Sequence, residues 1–201
     1  IVKFVDYRGK TPTKTDTGIP LLTAACIKKG QVNLGLDPTY ISAEEYDQRM
    51  TRGFPNKGDV VMTMEAPLGE VGQIEDPLLS PGQRVILYKA DPRYITNEYL
   101  KYHFLSDFGQ AELKTRASGS TALGIKADRL KASYILVPPV DEQRAIDKHI
   151  TRSLASFRDL ASKAHSMIDS LATRRTSLIS ATVTGKIDVR GLADIESEEA
   201  A

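Results

Sequence analysis

The chain of 201 residues has a single cysteine, Cys26, which excludes an internal disulfide and suits a reducing compartment. It lacks any apolar run approaching the ~20 residues that a membrane span needs, and no signal-peptide pattern opens it. These absences point to a cytoplasmic protein with no membrane partner. An excess of one charge is missing too: the net charge is +1, which by itself predicts no partner. With 41% hydrophobic and 26% charged residues, the composition is that of an ordinary globular protein, and its length fits one domain with an appendage. Because the first residue is Ile1 rather than Met, the natural start is expected to lie upstream.

Motifs for chemistry are nearly as scarce. His103, His149 and His165 lie far apart without carboxylate or cysteine neighbours at ligand spacing, so no metal site is expected. The carboxylates form no acid/base pair, and Cys26 has no evident base. Asp37-Pro38-Thr39-Tyr40 is one residue from the Asp-Pro-Pro-Tyr signature of amino-methyltransferases. Here Thr39 replaces the second proline and no glycine-rich cofactor loop follows an upstream strand, so a turn before a helix is the simpler reading. Thr184-Gly185-Lys186 lacks the upstream glycine of a phosphate-cradling loop, and Gly69-Glu70-Val71-Gly72 reads as a hairpin. Neither a catalytic residue nor a cofactor site is expected within the chain.

What the chain does have is a long uninterrupted helix signal. After Pro138-Pro139, Asp141-Glu142-Gln143 starts a run of about forty residues without Gly or Pro, roughly 60 Å long at 1.5 Å per residue. Ile150, Leu154, Phe157, Ala161, Ala164, Ile168, Leu171 and Leu178 recur at alternating steps of four and three, interrupted only by Arg175. That spacing makes a narrow seam of the kind that pairs helices, with Arg152, Arg158, Asp159, Lys163, Asp169 and Arg174 off it. A helix lying on its own domain would also be amphipathic, but the length favours pairing with another helix.

Before the rod, short strands and turns dominate. Strands are expected at Ile19–Leu22, Val60–Met64, Glu70–Ile74, Gln83–Tyr88 and Ile135–Val137, and Lys29-Gly30 is a turn. Ser42 caps a helix over AEEYDQRM, and Thr96 caps another running through Phe108. The fold class is therefore α+β: a globular domain of mixed short strands and helices, followed by one long coiled-coil-type helix.

Charge is unevenly spread along this domain. Residues 1–30 carry Lys3, Arg8, Lys10, Lys14, Lys28 and Lys29 against Asp6 and Asp16, while 112–131 carry Lys114, Arg116, Lys126, Arg129 and Lys131 against Glu112 and Asp128. Interleaved Thr, Ser and Gly suit phosphate contacts. A plain solvated surface would account for the same charges. The segment Arg116 to Lys126 says more, because glycines flank Ser118, Ser120 and Thr121 between two cations, and its length favours binding of a polyanion over a mere connection.

Several blocks together resemble the specificity subunit of type I restriction–modification enzymes. They are Arg8-Gly9-Lys10-Thr11-Pro12, Gly58-Asp59-Val60-Val61-Met62-Thr63, Gly69-Glu70-Val71-Gly72, Ser80 to Val85, and Ser118-Gly119-Ser120-Thr121. The most specific are Pro138-Pro139 with Glu142-Gln143-Arg144, and the end of the rod, Leu178-Ile179-Ser180-Ala181 followed by Val183-Thr184-Gly185-Lys186-Ile187. The resemblance implies a target-recognition domain over 1–137, a spacer and dimerisation helix over 138–190, and a disordered acidic tail over 191–201. It implies double-stranded DNA as ligand, with methyl transfer and cleavage left to separate modification (methyltransferase) and restriction subunits. Such subunits have two recognition domains and two antiparallel helices, whereas this chain has one of each. It is expected to be either a half-length subunit that forms a homodimer through antiparallel long helices, or a piece of a longer chain; the acidic tail argues for a genuine C-terminus.

For DNA contacts the resemblance and the charges select Arg8, Lys10, Thr11, Lys14, Met64, Glu65, Arg84, Ser118, Ser120, Thr121 and Lys126. Arg8 and Arg84 suit guanine bidentately, while lysines and hydroxyls suit phosphates. Arg84 in a structural ion pair is the competing reading. A non-DNA interaction module, displaying a small domain on a coiled-coil spacer, is the alternative function.

Overall fold

A computed structural model describes residues 1–9, 11–119 and 123–190. Nine strands and five α-helices follow in chain order among the described residues. The strands are β1 (Val2–Asp6), β2 (Ile19–Leu22), β3 (Ile27–Lys28), β4 (Gln31–Val32), β5 (Tyr40–Ile41), β6 (Val60–Met64), β7 (Leu68–Gln73), β8 (Ser80–Pro81) and β9 (Val85–Ala90). The helices are α1 (Ala43–Met50), α2 (Asn97–Leu105), α3 (Asp107–Arg116), α4 (Ala127–Lys131) and α5 (Val140–Val183). The expected mixed class with a long final helix is what the structure shows. By contact the chain divides into two units, Ile1–Lys148 and His149–Ala201.

The first unit is organised by an antiparallel sheet in the order β1-β9-β6-β7. Val60–Met64 is apolar without alternation because both faces of this sheet are covered. Val60, Met62 and Met64 join Ile86, Tyr88, Leu100, Phe104 and Leu113 in one core, against α2 and α3. Val61, Val85 and Leu87 face a second core with Val5, Tyr7, Leu22, Ile27 and Met50. The period-2 geometry of a strand sends neighbours to opposite cores, so one strand serves both. A smaller sheet, β5-β2-β8, has β2 and β8 parallel.

Several motif residues turn out to secure the backbone. Asp59, buried before β6, accepts from Asn56 N at 2.8 Å and pairs with Lys89 at 2.5 Å. Thr63 donates to Pro67 O and accepts from Glu70 N, tying β6 to β7. Buried Arg49 on α1 reaches Ser80 Oγ at 3.0 Å and Pro81 O at 2.7 Å, which fixes β8. Lys29 and Gly30 turn β3 into β4 with φ of 51° and 82°.

Three expected elements differ. The helix capped by Thr96 ends at Leu105, where Ser106 adopts an extended backbone and caps α3 through Gly109 N. Ile135–Val137 forms no strand, since it has no ladder partner among the described residues. Gln83 and Arg84 sit in the turn before β9 rather than in the strand.

Helix α5 spans 44 residues, about 66 Å at 1.5 Å per residue. Its first turn is stitched into the first unit by Gln143, which is fully buried. The Gln143 amide accepts from Thr96 N at 2.8 Å and donates to Tyr94 O and Pro138 O, each at 2.8 Å. Beyond His149 the seam residues Leu154, Phe157, Ile168, Leu171 and Leu178 are 40–67% exposed. Gly185, with φ 73°, closes the helix while Lys186 N donates to Ala181 O, so Thr184-Gly185-Lys186 is a helix stop. No described helix is long and apolar enough to cross a membrane.

Candidate nucleic-acid interface

Sequence-distant loops meet on the first unit at a cleft of about 380 Å³. Pro12 and Lys14 enter it from the N-terminal loop, Thr23 and Asp37 from the segments around β2 and β5, Ala66 from the β6–β7 connection, and Gly82–Arg84 from the turn before β9. The connections place them there because β6 and β9 pair side by side, which brings the end of one strand beside the start of the other.

The loop after α3 joins this edge. Ser118 and Gly124 exchange backbone hydrogen bonds at 2.9 and 3.0 Å, closing it at its neck, and Ile125 N donates to Met64 O at 3.0 Å. Glu65 also bridges Gly124. Ser118 and Lys126 are exposed. Ser120 and Thr121 lie outside the described residues, as does Lys10.

The cations are less available than the sequence implies. Arg8 grips Asp6 through Nε and Nη2, the latter at 2.6 Å, and its carbonyl accepts from Arg52. This hydrogen-bonded pair, against a smaller burial effect, raises the Arg8 pKa above its ordinary value. Burial pushes the Asp6 carboxyl up, but its Arg8 hydrogen bonds and the Arg8 and Arg52 charges outweigh that and leave it lowered. Arg116 belongs to α3, pairs with Glu112 at 2.5 Å and lies over the Tyr134 ring. Arg84 pairs with Glu65 at 3.0 Å, with the two side chains 60% and 52% exposed. Its ion pair is thus real, yet it stands in solvent at the cleft edge.

Met64, an expected contact, has a side chain only 2% exposed that belongs to the core. Only its backbone serves the site, donating to Arg84 O and accepting from Ile125 N. Thr11 holds Gln83, whose Nε2 donates to Thr11 Oγ1 at 3.0 Å. Gln83, like Pro12, Thr23, Asp37 and Ala66, lines the cleft without being among the expected contacts; its expected place in a strand hid it. The Asp37 carboxylate accepts from Thr23 at 2.7 Å and Thr39 at 2.9 Å, and these two bonds hold its pKa below the ordinary carboxylate value. Both oxygens of that carboxylate therefore serve a turn. Among the described residues no group of three or more His, Cys, Asp or Glu lies together as a metal would require.

Hydroxyls, Lys14, Gln83 and Arg84 thus rim one cleft at the edge of the sheet. Residues 7–161 match the family model of the type I restriction modification DNA specificity domain, and the chain belongs to that family. Among individual proteins, it is 35% identical over 96 residues to the Type I restriction enzyme MjaIX specificity subunit of Methanocaldococcus jannaschii, covering 47% of this chain and 21% of that one. A chain from a structural study of complex assembly and conformational transition of the type I R-M system shares the fold at TM-score 0.57, with 18% identity over 85% of this chain and 43% of its own. The HsdS subunit from Thermoanaerobacter tengcongensis does so at TM-score 0.53, with 16% identity, covering 79% of this chain and 37% of that one. This chain spans less than half the length of each of these relatives.

Proposed function

We propose that the chain is a DNA-recognition module of a type I restriction–modification system, reading one half of a split site in double-stranded DNA. Residues 1–137 are the reader, 138–190 the spacer and dimerisation helix, and 191–201 an acidic tail. Methyl transfer and cleavage are left to separate modification and restriction subunits in the cytoplasm, so the chain itself is not an enzyme and needs no cofactor. The observation that carries this reading is the convergence of Thr11, Lys14, Gln83, Arg84, Ser118 and Gly124 on one edge of the sheet. Thr11, Lys14, Ser118 and Lys126 are assigned to phosphates, together with Lys10, Ser120 and Thr121, whereas Arg84 reads a base. Arg8, already gripped by Asp6, positions the N-terminal loop.

The test is selection from a random duplex pool, with affinity measured against salt. A steep fall of affinity with salt is expected, because each phosphate contact releases condensed counterions. Lys126→Ala should weaken all sequences alike and reduce the salt slope by about 1. A flat salt dependence and no enriched sequence would favour the non-DNA interaction module instead.

The seam supports self-pairing. Written in order, Ile150, Leu154, Phe157, Ala161, Ala164, Ile168, Leu171 and Arg175 read as large, large, large, small, small, large, large, large. Laid antiparallel on a second copy, Ala161 meets Ala164, Phe157 meets Ile168 and Leu154 meets Leu171. The flanking residues Leu160 and Met167, 64% and 66% exposed, also match each other in this register. Small residues at the centre permit close approach. The two readers are then related by a two-fold axis, and the site is a palindrome interrupted by unread bases. Sedimentation giving only monomer at micromolar concentration would remove this part of the proposal.

A further inference from the structure

The turn from Gly82 to Val85 is the best-anchored piece of the cleft edge. Val85 N donates to Gly82 O at 3.2 Å, which leaves Gln83 and Arg84 at the two central positions of a four-residue turn. Both flanks are tied down: Gly82 N donates to Leu22 O, and Met64 N donates to Arg84 O, each at 2.8 Å. Residue 82 is held to glycine by this approach, since a Cβ there would stand 2.9 Å from Leu22 O. The mount is rigid while the side chains it carries reach solvent.

Each of those side chains is steadied by one partner and keeps bonding capacity. Gln83 gives one Nε2 hydrogen to Thr11 and retains a second, along with its carbonyl oxygen. Arg84 uses Nε on Glu65, leaving two Nη groups that have no hydrogen-bond partner among the described residues. Gln is the side chain that pairs bidentately with adenine N6 and N7, and Arg the one that pairs with guanine O6 and N7. Their Cα atoms are about 3.8 Å apart as neighbours in the chain, close to the roughly 3.4 Å rise between base pairs. Glu65 then gains a purpose. A carboxylate 52% exposed beside the cleft would repel a phosphate, but it accepts from cytosine N4 in a major groove. Arg84 and Glu65 together present donors beside an acceptor, the complement of one G·C pair.

We propose that Gln83 and Arg84 form a two-base reading head for the major groove, with Gln83 on an adenine and Arg84, backed by Glu65, on the adjacent G·C pair. This rests on the DNA-recognition reading above and adds Gln83 and Glu65 to the residues that determine specificity. The same residues would serve poorly as phosphate grips, because Arg84 arrives already neutralised.

The experiment compares the full chain with its Gln83→Ala, Arg84→Lys and Glu65→Gln variants in selection from a random duplex pool, with thermal melting confirming that each is folded. The unaltered chain is expected to enrich a half-site containing an adenine next to a G·C pair. Gln83→Ala should lose the preference at the adenine alone and Arg84→Lys at the guanine alone, each weakening that site by about 5- to 150-fold. Glu65→Gln should relax the choice at that same G·C pair and leave the adenine preference intact. Unchanged base preferences in the variants, or a uniform loss over all sequences, would overturn the reading head and leave DNA recognition standing. Failure of the unaltered chain to enrich any sequence would overturn the DNA-recognition reading itself and the reading head with it.

Discussion

Gln143 shows how much one side chain can decide. Its amide satisfies three backbone groups, at Thr96, Tyr94 and Pro138, from a position with no exposure. Removing it strands those groups where water does not compensate, at about 1–3 kcal/mol for a buried group left unsatisfied. Gln143→Ala is expected to destabilise the first unit by about 2 kcal/mol or more, read from the midpoint of urea unfolding. His103 carries a second prediction. Burial lowers its pKa from the ordinary 6.5, against the opposing effect of a hydrogen bond with the Tyr134 backbone, and its Nε2 has no partner among the described residues. The unfolded chain therefore takes up a proton at higher pH than the folded one. Stability from this site is complete above the ordinary imidazole value and drains away as pH falls from there to the folded-state value. His103→Phe should flatten that stretch of the stability curve, measured by melting on either side of the ordinary value. At this scale the sequence reading was weakest. Arg8 and Arg84 are visible as cations and an ion pair is an open alternative for Arg84, but nothing local identifies Glu65 as its partner or shows that Asp6 holds Arg8. Met64 looks available until strand period turns it into the core against α2 and α3.

Elements were more legible, and the failures among them have physical causes. β6 and α1 were foreseen because an apolar run between turns and a Ser cap are local signals; Ser42 Oγ does accept from Glu45 N. The division of α2 from α3 was missed because no Pro marks it. The signal was Ser106 with Gly109 three residues on: Ser106 Oγ accepts from Gly109 N and donates to His103 O. A Cβ at Gly109 would stand 2.2 Å from His103 O, so the two helices meet where only hydrogen fits. Gly109→Ala should force the helices apart and cost about 1–3 kcal/mol as overpacking, checked by thermal melting. Ile135–Val137 was apolar enough for a strand, but a strand is defined by a partner that sequence alone does not supply. The half-exposed Leu136 and exposed Tyr134 reflect that missing ladder.

For the whole molecule, family and overall plan were the most legible features, since the proline pair, the glutamine and the uninterrupted rod survive as a pattern. The rod's partner was not, because one sequence shows a seam without showing what lies against it. Ile168→Lys, placing a charge opposite Phe157 in the proposed register, is expected to turn a dimer into a monomer in sedimentation, while the melting of the first unit stays unchanged. A palindromic order of side-chain sizes has one further consequence. When a helix is its own mate, each substitution is read twice, once in either copy, and no compensating change in another gene is available to soften it. A loss of about 1.4 kcal/mol at one layer, tenfold in an ordinary complex, becomes about a hundredfold in the proposed dimer. A mixed pair of altered and unaltered chains would read the same change once and lose only about tenfold, so in the proposed dimer drift along the seam favours mixed pairs over the altered chain's own dimer.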